Sequence, residues 1–200
     1  MSSEIRIPKQ KRSIDKMNKI VDAGFILFCE KGYFKTTTAE IAKKAGVSIG
    51  IVYSYFKDKK DIFFQVLDTY AKQINNPLIN AFKDLKPPYE LENILNQIFD
   101  SVIESHTMTL KAHEEMIAMS YTDNDVREYF MKFEEDICHQ YVDVLASLGF
   151  QLNNPYETVQ IIIDLLQNYV HDYLYHCHEC VDYQAYREKT INVIIYLLKQ

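Results

Sequence analysis

Glycine and proline are scarce in this chain of 200 residues, five of each, and they fall at a few points. That scarcity excludes frequent chain breaks and leaves long stretches in which apolar residues recur at three- and four-residue spacing, the pattern of amphipathic helices. Also missing is any apolar run near the roughly 20 residues that a bilayer-spanning helix needs. The segment from Met1 to Arg12 is polar and basic and lacks the apolar centre of a signal peptide. These absences predict a cytoplasmic protein with no membrane partner. Four cysteines, Cys29, Cys138, Cys177 and Cys180, do not show the spacing of a small secreted disulfide framework, so reduced thiols are expected. No HExxH pair, glycine-rich phosphate loop, GxSxG elbow or paired Glu-x-x-His motif is present, which argues against an enzyme and against a bound cofactor. With 48% hydrophobic residues the chain does have the means to bury a core.

Positive charge is in overall deficit, with 22 Lys and Arg against 28 Asp and Glu, yet it is unevenly placed. Met1 to Lys60 holds thirteen basic and six acidic residues, a net +7, and the remainder holds nine and twenty-two, a net -13. A basic head can neutralise phosphates while an acidic body stays clear of them, the distribution of a nucleic-acid-binding module joined to a domain with another task.

The head reads as three helices. Ile14, Met17, Ile20, Val21, Phe25 and Phe28 share one face of a helix from about Ser13 to Lys31, and Gly32 supplies its left-handed stop. Thr37-Thr38-Ala39-Glu40 is a Thr-x-x-Glu capping box that opens a second helix with Ile41, Ala42 and Ala45 inward. Gly46-Val47-Ser48 ends it after two turns, and Ser48 is suited to cap a third helix, about Ile49 to Phe56. There Val52 and Phe56 are expected inward, with Ile49, Gly50, Tyr53 and Tyr55 directed elsewhere. Asp58 and Asp61 then offer the cap of a fourth helix. Two short helices joined by a glycine-containing turn and braced by a preceding helix have the geometry of a helix-turn-helix.

The stretch from Thr37 to Ile62, TTAEIAKKAGVSIGIVYSYFKDKKDI, closely resembles the signature of TetR-type (TetR/AcrR) transcriptional regulators, and Phe28 to Phe34, FCEKGYF, resembles the end of their first helix. The likeness covers about the first sixty residues; beyond it only length and helical character agree. It implies an all-α fold, with a three-helix DNA-binding head and basic tail over 1–58 and a larger ligand-binding and dimerisation domain over 59–200. By position in the family motif, Thr38 and Lys59 would hold phosphates, Tyr53 would reach the backbone or a base edge, and Ser48, Ile49, Gly50 and Tyr55 would line the major groove. Ala39 departs from those relatives that place a base-reading arginine there. Because the recognition helix is poor in long hydrogen-bonding side chains, methyl contact from Ile49 to thymine and DNA shape are expected to carry readout. Arg6, Lys9, Lys11 and Arg12 are either a solvated tail or an arm that tracks DNA.

In the body, a helix from Lys59 toward Phe82 is expected to bend or break at Asn75-Asn76-Pro77 and to end by Pro87-Pro88. Tyr89 to His106 and Thr107 to Met119 read as two helices. Thr122-Asp123-Asn124-Asp125 reads as a second capping box, starting a helix that Gly149 stops. Asn154 as cap and Pro155 at the first helical position start a helix to about His178, and a last one spans about Tyr183 to Lys199. These two have apolar residues on more than one side, which suggests a four-helix homodimer interface with Ile162, Leu166, Ile194 and Leu198 in it. TetR-type proteins are similar in this respect, and two symmetric heads would suit a palindromic operator.

The middle helices are left to form a pocket for a small-molecule effector, and the acidic body favours a neutral or cationic one. No lining residue is assigned, though His106 and His113 are seven apart and could share a face. His171, His176, Cys177, His178 and Cys180 form the one cluster that suggests a metal. Its members make no two convincing pairs, and neighbours along a helix point apart, so it reads as the exposed end of a helix and no metal is expected. The whole is consistent with a ligand-responsive repressor released from its operator by an effector. A TetR-like regulator without an effector is the alternative, and a helical enzyme a remoter one.

Overall fold

The computed structural model describes residues 11–83 and 85–200, except for the side chains of 70–78, 80, 81, 83, 108–113 and 116. Arg6 and Lys9 of the basic tail and the side chain of His113 lie outside the described residues. The elements are α1 (Lys11–Lys31), α2 (Thr38–Ala45), α3 (Ile49–Tyr55), α4 (Lys59–Lys83), α5 (Leu91–Thr122), α6 (Asn124–Ser147), α7 (Pro155–His171), a π-helical turn (Asp172–His176) and α8 (Tyr183–Leu198). No strand occurs among the described residues, and no described helix is long and apolar enough to cross a membrane.

Local chemistry accounts for the boundaries of the head. Thr37 Oγ1 accepts from the amide of Glu40, and the Glu40 carboxylate accepts from the amide of Thr37 at 2.9 Å, so both halves of the capping box form. At the other end of α2, Gly46 takes φ +67°, a conformation that a side chain disfavours. Its amide bonds to Lys43 O and that of Val47 to Ala42 O, the paired bonds of a Schellman stop. Asp58 Oδ1 caps α4 through the amide of Asp61 at 2.9 Å. Ser48 stands at the N-cap of α3 but makes no capping hydrogen bond with its side chain.

Several expectations for the body need correction. α4 continues through Asn75-Asn76-Pro77 without a break. The two helices expected over Tyr89 to Met119 are one helix of 32 residues. Thr107 makes no start there, since its hydroxyl bonds back to Ile103 O at 2.8 Å. The cap of α6 is Asp123, whose Oδ1 accepts from the amides of Asp125 and Val126, while Thr122 bonds back into α5. Asn154 precedes α7 in a left-handed conformation, φ +48°, and its side chain caps nothing.

The chain divides into two compact units. One holds α1 to α3, α4 as far as Gln73, and Thr109–Tyr129; the other holds Ile74–Met108 and Phe130–Gln200. The division cuts α4, α5 and α6 within their length, so three helices continue from one unit into the other. The core of the first unit contains Ile20, Phe28, Ile41, Val52, Ile62 and Phe63, joined by Met119 and Val126 from beyond residue 108. Phe28 and Phe63 meet edge to face, their centroids 5.5 Å apart. The second core joins Leu95, Phe99 and Val102 of α5 to Tyr169 and Val170 of α7 and to Ile191, Ile194 and Leu198 of α8. Arg187 of α8 clamps α5, donating to Asp100 Oδ1 at 2.7 Å and Asn96 O at 2.6 Å.

The capping box carries a pH dependence. Hydrogen bonds to Glu40 from Lys31, the Thr37 hydroxyl and the Thr37 amide lower its pKa from 4.5 to about 2. A depressed folded-state value means that the charged carboxylate contributes stability above pH 4.5, and the contribution disappears as pH falls toward 2. Thermal melts between those limits are expected to show a loss of stability in the native chain that Glu40→Gln makes shallower. Equal pH slopes in the two proteins would contradict the role given to this carboxylate.

Candidate nucleic-acid interface

The exposed side of α2 and α3 brings several of the expected residues together. Val52 of α3 is fully buried, and with it Tyr55 and Phe56 at 8% and 4% exposure. Positions three and four apart are thereby committed to the core, leaving Ile49 (43% exposed), Gly50 and Tyr53 (46% exposed) on the outer side with Ser48. Tyr53 Oη lies 3.3 Å from Thr38 Oγ1, which ties the outer face of α3 to the first turn of α2. Tyr55 does not share this face. Expected in a groove, it is part of the head core, because α3 and its C-cap Phe56 together use three inward positions, 52, 55 and 56, where two were expected. Ala39 is exposed beside Thr38 and offers no polar group.

Lys59, the first residue of α4, is only partly available for a phosphate. Its ammonium donates to Tyr33 O at 2.8 Å and Thr36 O at 2.9 Å, and it stands 4.1 Å from the centre of the Tyr33 ring. Burial lowers its pKa against the opposing charge of Glu115. Two of the three ammonium protons are thus committed to the connection between α1 and α2, leaving one for a ligand oxygen. Lys60 is turned to Asp123 and Asp125, at 2.7 and 2.9 Å, and Lys44 to Glu30 at 3.5 Å.

Sequence reasoning missed the group on the other side of the same connection. Glu115 of α5 accepts hydrogen bonds from the amides of Tyr33 and Phe34, the latter at 3.3 Å. Gly32 makes this approach possible: it has φ +85°, and a Cβ there would stand 2.0 Å from Glu115 Oε1. Thr36 completes the knot from within, being 1% exposed, with its hydroxyl donating to Gly32 O at 2.7 Å. No local signal links Glu115 to residues about eighty positions earlier; only the inward turn of α5 does.

Residues 20–66, which span α1 from its middle through the first turns of α4, match the family described as bacterial regulatory proteins, tetR family. Over these residues the chain is similar to that family. The helix-turn-helix regulator HbdR of Aromatoleum sp. (strain CIB) is 45% identical over 64 residues, 30% of this chain and 28% of that one. The chain spans between about a quarter and two thirds of the length of the first curated relatives it matches. The fold extends further: a Mesorhizobium loti protein assigned to the tetR family superimposes with a TM-score of 0.75 at 23% identity, over 94% of this chain and 98% of that one. A transcriptional regulator from Saccharomonospora viridis, solved in complex with choline, gives 0.68 at 13% identity, over 92% and 97%.

Proposed function

We propose that this protein is a tetR-family transcriptional regulator that binds a palindromic operator as a homodimer, acts as a repressor, and is released when a small molecule binds its helical body. The observation that carries the reading is the face formed by Thr38, Ser48, Ile49, Gly50 and Tyr53, supported on a fully buried Val52 and held by the Thr38 to Tyr53 contact. Such a face presents the Ile49 side chain and three hydroxyls, of Thr38, Ser48 and Tyr53, with exposed Lys35, Lys43 and Lys57 on the same small head to meet phosphates. Binding is expected to weaken steeply with salt. Lys59→Ala should flatten the slope of log K against log salt by about 0.9, one phosphate's share, and lower the melting temperature by freeing two carbonyls. Tyr53→Phe, which removes only a hydroxyl, should weaken operator binding with the melt unchanged. Fluorescence anisotropy on labelled operator reads both; a Tyr53→Phe protein with native affinity would count against this face.

Dimerisation is assigned to the outer rows of α7 and α8, a change from the residues expected in the sequence. Ile194 and Leu198 are 1% and 8% exposed within the chain's own core, and Ile162 and Leu166 are half-buried against that core. Free apolar surface on the same helices belongs to Ile161 at 48%, Val193 at 46% and Tyr196 at 63% exposure. Ile161→Asp combined with Val193→Asp is expected to give a folded monomer in sedimentation, because an unpaired charge in an apolar interface costs several kcal/mol. Ile194→Asp is expected to unfold the second unit instead. A doubly substituted protein that stays dimeric would move the interface elsewhere.

An effector for this chain rests on its family and on the acidic body, which suits a neutral or cationic molecule; the choline found in the Saccharomonospora relative is of that kind. Release requires the effector to favour the non-operator state, and a hundredfold loss of operator affinity corresponds to about 2.7 kcal/mol of coupling. Because coupling is reciprocal, the effector must bind a hundredfold more weakly to the operator complex. Calorimetry with quaternary ammonium and neutral hydrophobic compounds, with and without saturating operator, reads this directly. Equal affinities for every compound that binds would leave a regulator without an effector.

A further inference from the structure

The connection between α7 and α8 carries side chains that neither the DNA-facing surface nor the core uses. After His171 the helix widens into one π-helical turn, Asp172–His176, closed by a bond from the amide of Cys177 to Asp172 O at 3.0 Å. Cys177 itself has φ +47°, a conformation that costs a side-chain-bearing residue energy. The π turn is the rarer of helical geometries and recurs at functional sites. Here the two departures fold the chain so that residues four and six positions after Asp172 reach the same carboxylate oxygen. Asp172 Oδ1 lies 3.1 Å from His176 Nδ1 and 3.3 Å from His178 Nε2, and the three donor atoms fall within 4.8 Å of one another.

Packing does not impose this convergence, because the two imidazoles are 61% and 58% exposed while the Asp172 side chain is 21% exposed. The second carboxylate oxygen is separately held: Tyr183 donates its hydroxyl to Asp172 Oδ2 at 3.0 Å and accepts from the amide of His178 at 3.0 Å. That outer hydrogen bond orients the carboxylate in the way that ligands of metal ions are commonly oriented. The separations of 3.1 and 3.3 Å are close to the edge of about 3.3 Å in a tetrahedron with bonds of about 2.0 to 2.1 Å, the bonds zinc makes to imidazole and carboxylate. Two imidazoles and one carboxylate suit zinc and its neighbours in the first transition row, whereas magnesium and calcium prefer an all-oxygen set.

We infer that Asp172 Oδ1, His176 Nδ1 and His178 Nε2 form a binding site for a divalent transition-metal ion of the zinc, cobalt and nickel class, with water in the remaining positions. The ion joins the π turn to the loop ahead of α8. Sequence spacing hid the site because it pairs His176 with Cys180 on a regular helix, while the real backbone leaves the helix at Cys177 and brings His178 back toward Asp172.

Untagged full-length protein, stripped with EDTA and returned to metal-free buffer, is titrated with zinc chloride by calorimetry and with cobalt chloride by visible absorption. The site calls for one ion per chain, no heat from magnesium or calcium, and a higher melting temperature with zinc. His176→Ala and His178→Ala, both at exposed positions, should each weaken zinc by at least about tenfold while melting like the native chain without metal. Absence of zinc binding in the native chain overturns the site. So does zinc binding that both histidine variants retain but a Cys177→Ser, Cys180→Ser double variant loses.

Discussion

The connection between α1 and α2 is gripped from two sides by opposite charges, and the placement of the helix-turn-helix depends on that grip. The Lys59 ammonium takes the carbonyls of Tyr33 and Thr36, and the Glu115 carboxylate takes the amides of Tyr33 and Phe34. Each charge takes backbone groups of the connection, which lies outside both helices. Charge-assisted hydrogen bonds are about twice as strong as neutral ones, so four of them on one short loop fix where α2 begins. The two charges come from α4 and α5, and both helices continue beyond the head unit. A displacement of either within the head would therefore act on Tyr33, close to the capping box that starts α2.

How much of this was legible in the sequence follows from the range of each interaction. The Thr37 capping box, the Gly46 stop and the Asp58 cap join residues three to five apart, and all three stand as the residue types imply, whereas the box expected at Thr122 does not form. Tyr55 was misassigned because the inward face of α3 and its C-cap is wide enough to take 52, 55 and 56 together, and periodicity alone does not set its width. In α8, where nearly every residue from Ile191 to Leu198 is apolar, the pattern says that two sides are apolar without saying which meets the chain's own core. Ile194 and Leu198 meet α5 and α7, and Val193 and Tyr196 are left outside. Glu115 was beyond reach for another reason: its partners lie about eighty residues away, and an acidic residue on an acidic helix announces nothing.

The π turn after α7 shows the same limit in local form. Regular helical spacing assigns the side chains of Asp172 and His178, six apart, to different faces. The turn instead adds a residue to the backbone ring, and the left-handed Cys177 reverses the chain immediately afterwards. Six positions then become 3.3 Å between donor atoms. A pattern read at 3.6 residues per turn has no means of registering that change, since the departure is in the backbone and its cause includes Tyr183 from α8.

The formal charge of the head also changes meaning once the unit is defined by packing instead of by chain order. The +7 of the first sixty residues falls to +3 for the compact unit, because residues 61–73 add one basic and two acidic residues and Thr109–Tyr129 adds two basic and five acidic ones. Much of the added negative charge is used at short range: Glu115 on the loop amides, Asp123 and Asp125 on Lys60. Lys31 and Lys44 are paired with Glu40 and Glu30. Long-range attraction from net charge is therefore modest, and the cations open to a phosphate are local: the exposed Lys11, Arg12, Lys16 and Lys19 of α1, Lys35, Lys43 and Lys57, and the third proton of Lys59. On the proposed reading, affinity for DNA would come from where these cations stand relative to Thr38, Ile49 and Tyr53. Of the five carboxylates that the segment of α5 and α6 brings to this unit, Glu115, Asp123 and Asp125 are already engaged in holding the head together.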